Sequence, residues 1–275
     1  MAPEGADPGS RLPGRTPPAQ ARAELGVFGG SGFYRFLDDA EEVAVETPYG
    51  APSARLTIGE LGGTRVAFLP RHGLHHEIPA HRVNYRANVW AMRELGVRRI
   101  LAPSAVGALR PELELGEFVI VDQFVDRTRG RADTFYDGPP AVHVSAADPY
   151  CPDLRRIVLD TAAELGIQAR DGGTLVVVQG PRFSTRAESA WVQAAGWDVI
   201  GMTGYPEAHL ARELELCYAS ISMVTDYDVG VRSGHRAASG DAVMRVFQEN
   251  LAKLRELLFA ACPRIPPQPA EHRCA

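Results

Sequence analysis

Lysine is almost absent from this chain of 275 residues, since Lys253 is the only one and arginine supplies every other basic side chain. The arginines are spread along the sequence and do not form a basic cluster. The 29 basic residues are outnumbered by 34 acidic residues, which gives a net charge of −5 at pH 7. This balance gives no reason to expect binding to nucleic acid or to an anionic membrane surface.

Long apolar runs and paired cysteines are also missing. No apolar run approaches the roughly 20 residues that cross a bilayer, and the N-terminal residues contain no apolar core like that of a secretion signal. The four cysteines form no C-x-x-C pair, which disfavours a zinc site and a thioredoxin-like redox centre; they are Cys151, Cys217, Cys262 and Cys274. We therefore expect reduced thiols and a cytoplasmic protein.

Catalytic signatures of several enzyme classes are missing as well. There is no G-x-S-x-G elbow of a serine hydrolase and no H-E-x-x-H metal motif. The segment Gly29–Gly32, G-G-S-G, matches neither a Walker A loop nor a G-x-G-x-x-G fingerprint, so it is either an anion-binding loop or a plain turn. Acidic residues are scarce around the histidine-rich stretch, and we expect no metal there; its histidines are His72, His75, His76 and His81.

Strand and helix patterns alternate over residues 23–262, which we interpret as one domain between a disordered leader (1–22) and a flexible tail (263–275). The predicted strands are Glu24–Phe28, Ala54–Ile58, Arg65–Pro70, Val97–Ala102, Phe118–Phe124, Gly173–Val178, Val199–Met202 and Cys217–Val224. The predicted helices are Tyr85–Leu95, Pro152–Leu165, Arg186–Ala195, Pro206–Leu214 and Asp241–Ala261. This alternation predicts an α/β fold in which helices flank a central mixed β-sheet, with ligands at the carboxyl ends of the strands.

Polar, glycine-rich loops follow several of these strands. Arg71 and His72 suit phosphate binding, because a guanidinium group offers forked donors. The small-residue loop Pro103–Leu109 either wraps a sugar or phosphate or simply turns. Phe183, in the loop Gln179–Glu188, either lies against a flat ring or packs in the core.

Two carboxylates, Asp226 and Asp228, follow the last predicted strand. Alternate residues of an extended strand end point the same way, so both carboxylates would converge on one volume. Like charges at that range raise at least one pKa, and a carboxyl group protonated near neutral pH can donate a proton to a leaving group. The alternative is an ordinary turn or helix cap, since Asp is common just past strands. Together with the other loops, the pair suits a phosphate-using reaction on a flat heterocycle.

Several segments occur together in an order typical of one family. They are G-V-F-G-G-S-G (Gly26–Gly32), P-R-H-G (Pro70–Gly73), N-Y-R-A-N (Asn84–Asn88), S-A-V-G-A-L (from Ser104), Q-G-P-R-F-S-T-R-A-E-S (Gln179–Ser189), M-T-G-Y-P-E (Met202–Glu207) and T-D-Y-D (Thr225–Asp228). Over residues 24–262 the chain resembles the trimeric purine nucleoside phosphorylase family, and within it the branch that acts on S-methyl-5′-thioadenosine. The resemblance implies a homotrimer that binds a purine nucleoside and needs no metal or organic cofactor. Inorganic phosphate, the co-substrate, would attack C1′ and release adenine and 5-methylthioribose 1-phosphate.

The resemblance also implies roles for individual residues. The phosphate-binding residues would be Ser31, Arg71, His72, Ser104, Ala105 and Thr203. The nucleoside would contact Met202, Phe183, Ser184, Tyr227 and Asp228, with Asp226 as the general acid at N7 of the purine. A neighbouring subunit would contribute His143 to the 5′ pocket, whose size depends on the surroundings of Gly240 and Val243.

Acidic acceptors in the base pocket favour a 6-aminopurine, because its exocyclic amine is a donor. Gly201 and Gly204-Tyr205 depart from the pattern of many relatives. A phosphorylase that prefers 6-oxopurine nucleosides (methylthioinosine, inosine or guanosine) therefore stays open as an alternative. A non-catalytic nucleoside-binding protein and a hydrolase that uses water are alternatives from other classes.

Overall fold

The computed structural model describes residues 22–29, 40–232 and 239–266. In these ranges the strands are β1 (Leu25–Gly29), β2 (Glu41–Val43), β3 (Leu56–Leu61), β4 (Thr64–Pro70), β5 (Arg99–Ala108), β6 (Phe118–Ile120), β7 (Gln123–Arg127), β8 (Ala169–Asp171), β9 (Thr174–Val178), β10 (Val199–Gly201) and β11 (Cys217–Tyr227). The α-helices are α1 (Tyr85–Glu94), α2 (Pro152–Glu164), α3 (Arg186–Ala194), α4 (Glu207–Glu213) and α5 (Gly240–Ala261).

All of these strands belong to one mixed sheet. Its main path runs β2-β3-β4-β1-β5-β10-β9-β7, and β11 pairs with β5 and β6 off this path. β1 is parallel to β4 and to β5, whereas β10 is antiparallel to β5. The predicted α/β class with a central mixed sheet is confirmed.

Side-chain alternation along β11 places helices on both faces of the sheet. Tyr218 and Val224 pack in a core cluster with residues of α1 and α4. Ala219, Ile221 and Met223 point the opposite way and pack with residues of α2 and α5. The period of two in a strand explains this division, and it makes β11 the central support of both cores.

Three strand predictions differ from the structure. The segment Pro103–Ala108, predicted as part of a loop, continues β5, because β11 pairs with it through Tyr227. The predicted strand Phe118–Phe124 is two strands, since β6 pairs with β11 and β8 while β7 pairs with β9. β11 runs past Val224 to Tyr227, with a register shift between Val224 and Asp226.

The helix predictions agree with the structure within a residue or two at the ends, and local capping explains the boundaries. The Asn84 side chain accepts a hydrogen bond from Ala87 N at the start of α1, and Gly96 follows its end with a φ of 88°. Thr185 caps α3 in a reciprocal capping box with Glu188. No helix within the described ranges is both long and apolar enough to cross a bilayer.

The two terminal predictions concern residues that lie mainly outside the described ranges. At the C-terminal side the chain continues past α5 into a turn, Cys262–Arg264, and Ile265 is buried in the core shared with α2. The disordered leader and flexible tail stay predictions.

Candidate active site

A cavity of about 310 Å³ lies where the carboxyl ends of several strands meet the first turns of α5. Ten of the residues selected from the sequence line it: Arg71, His72, Ser104, Ala105, Phe183, Ser184, Met202, Thr203, Asp226 and Asp228. Gly240 and Val243 also line the cavity, next to Met244. Tertiary structure therefore brings together loops that are up to about 170 residues apart in sequence.

The position of the cavity follows from the pairing of β5. One edge of β5 pairs with β1 over Arg99–Leu101 and with β10 at Gly107 and Ala108. Within the described part of the chain, no strand pairs with the edge between these two stretches. Ser104 and Ala105 lie in that stretch and line the cavity although they belong to a strand. Ligand sites of α/β sheets form where neighbouring strands diverge in this way.

Arg71 is held by a fully buried carboxylate, Glu207, at the start of α4. Its Nε and Nη2 donate to the two Glu207 oxygens at 2.7 Å each, and its Nη1 donates to Pro103 O at 3.2 Å. Tyr218 donates its hydroxyl to the same carboxylate at 2.7 Å. Burial lowers the pKa of Arg71, but the charge of Glu207 and the hydrogen bonds to it together raise that pKa above its usual value. The guanidinium is thus a fixed cation at the cavity wall, and its unused N–H groups can bind an anion.

His72 is oriented by the backbone of the segment that follows it. Its Nδ1 lies 2.9 Å from Ile78 O. Burial, and then the adjacent Arg71 charge, lower the pKa of His72 to about 3. The imidazole is therefore neutral at physiological pH.

Asp226 has the properties of a carboxyl group that can carry a proton near neutral pH. Burial is the main cause that raises its pKa to about 6, and the charge of Asp228 adds to the increase. A hydrogen bond from Thr225 Oγ1 to Asp226 Oδ1 at 3.0 Å opposes the increase. The direction of the shift agrees with the sequence argument, but desolvation contributes more than the neighbouring charge on which that argument relied.

Asp228 lines the same cavity and is itself buried. Burial raises the pKa of Asp228, while hydrogen bonds from Ser189, the backbone of Val229 and Ser184 lower it. Its Oδ2 is buried and has no hydrogen-bond partner among the described residues. A buried acceptor that lacks a partner is costly, so this oxygen is suited to accept a hydrogen bond from a ligand.

Two residues near the cavity were not selected from the sequence. Arg131, in the irregular segment after β7, donates to Tyr205 O at 2.6 Å, Met202 O at 3.0 Å, Gln179 O at 3.1 Å and Val178 O at 3.3 Å. It ties the segment that carries Met202 to the segment that leads to Phe183. No periodicity marks an arginine in an irregular segment, so sequence reasoning had no signal for it.

Glu207 is the second residue that was missed. It lies in the M-T-G-Y-P-E segment, but its partner Arg71 is 136 positions away. The helix that it begins, E-A-H-L-A-R-E, contains other charged residues, so its local sequence gave no signal that Glu207 is buried.

Three selected residues are not placed at the cavity. Tyr227 points into the core, where its hydroxyl donates to Leu113 O at 2.6 Å. His143 is exposed on the segment between β7 and α2. Ser31 lies outside the described residues. A contribution of His143 to a neighbouring subunit stays a prediction.

Histidine-rich sequence around His72 does not produce a metal-binding cluster within the described ranges. No group of three or more His, Cys, Asp or Glu side chains there is placed to hold a metal ion. His72 and His76 instead form a tilted ring pair, with centroids 4.7 Å apart. That the protein needs no metal or organic cofactor stays a prediction.

Comparison with known proteins identifies the family of this fold and cavity. A family model described as the phosphorylase superfamily matches residues 24–262. A purine nucleoside phosphorylase of Streptomyces coelicolor is 56% identical over 255 residues, which are 90% of this chain and 91% of the relative. An S-methyl-5′-thioadenosine phosphorylase of Mycobacterium tuberculosis is 57% identical over 242 residues, which are 88% of this chain and 89% of the relative.

Solved structures give the same result for the fold. A methylthioadenosine phosphorylase from Schistosoma mansoni in complex with adenine superimposes with a TM-score of 0.85 at 37% sequence identity. The match covers 90% of this chain and 93% of that chain. The predicted nucleoside phosphorylase-like architecture is confirmed.

Proposed function

The chain belongs to the phosphorylase superfamily, and from that premise we propose that it catalyses phosphorolysis of S-methyl-5′-thioadenosine to adenine and 5-methylthioribose 1-phosphate. Its relatives are nucleoside phosphorylases, so it is a pentosyltransferase that acts on nucleosides. The identity of the nucleoside on which it acts is the part of this function that is proposed. Relatives named for this activity and a base pocket with two carboxylates support it.

The observation that carries the proposal is the protonatable carboxyl of Asp226 in the cavity, with a pKa raised to about 6. A purine is a poor leaving group as an anion, and protonation at N7 lets it depart as a neutral base. Asp226 would supply that proton, while the sugar develops oxocarbenium character and phosphate approaches C1′ from the other side. Asp228 Oδ2, the unpaired acceptor, would receive the exocyclic amine of adenine.

Phosphate would bind at the wall of the cavity formed by Arg71, His72, Ser104 and Thr203. Arg71 offers a fixed cation there, and Ser104 and Thr203 offer hydroxyl groups. Phosphate would be held by hydrogen bonds to these side chains and by one buried charge. Met202 would lie against the ribose and Phe183, which is 40% exposed, would cover the base or sugar.

The 5′ end of the nucleoside would lie near the start of α5. Val243 and Met244 line the cavity there, together with Gly240. A methylthio group gains from contact with apolar side chains, whereas a 5′-hydroxyl needs a polar partner.

We infer a homotrimer in which His143 of one protomer completes the 5′ pocket of the next. A sedimentation measurement that finds only monomers would contradict this assembly.

A second candidate is phosphorolysis of 6-oxopurine nucleosides. The name of the Streptomyces coelicolor relative, at 56% identity, favours it. At position 6, a 6-oxopurine offers an acceptor where adenine offers a donor. It could form a hydrogen bond with Asp228 Oδ2 only if that carboxyl group were protonated. We therefore expect this activity to be the slower one.

One assay separates these possibilities. Purified protein is incubated with methylthioadenosine, methylthioinosine, adenosine or inosine, with and without phosphate, and the released base is measured. We expect phosphate-dependent release that is fastest from methylthioadenosine. Release that does not need phosphate would remove the phosphorylase proposal, and faster turnover of methylthioinosine would reverse the base preference.

A variant tests the role of Asp226 in the same assay. Asp226→Asn should lower kcat by about 10²–10⁴-fold, as for loss of a general acid, and should shift preference toward 6-oxopurines. Asp160→Asn is the matched control, because it removes one carboxylate from the exposed surface of α2. Unchanged kcat and preference in Asp226→Asn would exclude it as the acid.

A further inference from the structure

The tautomer of His72 is determined by its contact with the backbone. Nδ1 lies 2.9 Å from Ile78 O, and a carbonyl oxygen can only accept a hydrogen bond. Nδ1 therefore carries the ring proton. In a neutral imidazole the other nitrogen, Nε2, is then an acceptor with a lone pair.

The neighbours of His72 keep the ring neutral. Burial and the adjacent Arg71 charge lower the pKa of His72 most strongly, and His76 and Arg131 lower it further. The Ile78 carbonyl is the opposing influence. Among the described residues, the charged or titratable groups that act most on the ring are thus basic, and protonation of Nε2 would place a second cation beside Arg71.

Nε2 is the nitrogen that a ligand can reach. His72 lines the cavity, whereas Ile78, the partner of Nδ1, does not. Among the described residues the contact with Ile78 is the only hydrogen bond of the ring. Of the other polar groups of this wall, the guanidinium of Arg71 can only donate, and the hydroxyls of Ser104 and Thr203 can donate or accept. Among these described groups, Nε2 of His72 is therefore the one that can only accept.

We propose that this wall selects an anion that still carries a proton, so that hydrogen phosphate donates its P–OH to Nε2 of His72 while Arg71 holds unprotonated oxygens. The inference rests on the proposed function, because it concerns the phosphate site of that reaction. Phosphate keeps a proton in the neutral pH range, and sulfate, of similar size and charge, does not. Sulfate would turn an oxygen lone pair toward the lone pair of Nε2 and leave a buried acceptor without a partner.

The expected size of this selectivity follows from the cost of an unpaired buried acceptor. That cost corresponds to about a tenfold to hundredfold weaker binding of sulfate than of phosphate. Charge alone predicts no preference, since both anions carry two negative charges when phosphate is singly protonated.

The test measures binding of inorganic phosphate and of sulfate to the full-length protein by calorimetry at neutral pH, without nucleoside. We expect a ratio of dissociation constants, sulfate over phosphate, of at least ten. His72→Gln places an amide near the position of Nε2, and its N–H₂ can donate to sulfate, so the ratio should fall about tenfold or more. His75→Gln is the matched control on the exposed side of the same segment and should keep the wild-type ratio.

A second measurement uses only the wild-type protein, so it does not require that His72→Gln folds. Nitrogen-15 chemical shifts of the His72 ring should show a protonated Nδ1 and an unprotonated Nε2 in the wild-type protein. A protonated Nε2, equal affinity for the two anions, or an unchanged ratio in His72→Gln would each overturn the proposal.

Failure of this inference can be distinguished from failure of the proposed function. Phosphate-dependent turnover without anion selectivity would remove this inference and leave the phosphorylase proposal intact. Selective binding of phosphate without release of base would support the inference and remove the proposed reaction.

Discussion

Glu207→Gln tests whether one buried carboxylate holds the proposed phosphate-binding wall in place. Glu207 is 0% exposed, and its two oxygens accept from Nε and Nη2 of Arg71 at 2.7 Å each. Glutamine keeps one oxygen but turns an N–H₂ group toward the second arginine nitrogen, so a donor faces a donor and the arginine charge loses its counter-charge. Removing one partner of a buried ion pair costs roughly 3–5 kcal/mol.

That cost is large against a total free energy of unfolding of about 5–15 kcal/mol for a globular domain. At about 2–4 °C per kcal/mol for a domain of this size class, the Tm should fall by roughly 10 °C. The KM for phosphate should rise at least tenfold, because the Arg71 guanidinium is no longer fixed. Binding of nucleoside in the absence of phosphate should change little.

Tyr218→Phe is the matched control. It removes the 2.7 Å hydrogen bond to Glu207 and keeps both charges, so it should cost about 1.5–3 kcal/mol and leave the KM for phosphate near the wild-type value. Calorimetric melting and initial rates over a range of phosphate concentrations measure these effects. If Glu207→Gln melts within about 2 °C of wild type and keeps its KM for phosphate, the reasoning about the buried pair is wrong.

Three further predictions follow from the geometry around the cavity. Burial raises the pKa of Asp226 to about 6 in the folded chain, against about 4 in the unfolded chain. Protonation of Asp226 therefore stabilises the fold. This stabilisation is complete below a pH of about 4 and is lost as the pH rises past about 6. Asp226→Asn should therefore unfold at higher denaturant concentration than wild type at pH 7.5, with a smaller gap at pH 4.5; a lower midpoint at pH 7.5 would contradict this. Arg131→Met removes donors to the carbonyls of two cavity segments and should lower kcat/KM for the nucleoside at least tenfold. Arg156→Met, on the exposed side of α2, is the control and should keep the wild-type kcat/KM. Equal kcat/KM in the two variants would refute the positioning role of Arg131. Gly107→Ala would place a methyl group 3.1 Å from Asp226 Oδ2 and from Ile200 Cγ2, so kcat should fall, and a wild-type kcat would show that the carboxylate can move aside.

Most of the residues selected from the sequence line the cavity, because their loops have local signals. Glycine and proline end the strands before Arg71 and Met202, and a carboxylate pair follows an apolar run at Asp226. These signals need only the nearest neighbours in sequence and the rule that α/β sheets bind ligands at their carboxyl ends. Phe183 and Ser184, in the loop between β9 and α3, also line the cavity and follow the same rule.

Predictions failed where a distant strand or side chain decides the outcome. Ser104 and Ala105 were predicted in a loop, but pairing with β11 keeps them in β5, and no strand of the described residues pairs with the opposite edge there. Tyr227 was grouped with the carboxylates on either side of it, yet it packs in the same core as Val224, because the register of β11 shifts between Val224 and Asp226. A contact of Tyr227 with the nucleoside stays a prediction.

The residues alone were sufficient to indicate the α/β class, the helices with their caps and the segments that carry the chemistry, because each depends on short-range periodicity, turn residues and capping. Only the tertiary structure decided how those segments act together. Burial, which no local pattern specifies, raises the pKa of Asp226 and lowers that of His72. Pairing across 136 positions fixes Arg71 on Glu207, and Arg131 reaches carbonyls 47–74 positions away. Desolvation and long-range hydrogen bonds depend on which surfaces meet in the folded chain, and that is determined by the packing of the whole sheet and its helices.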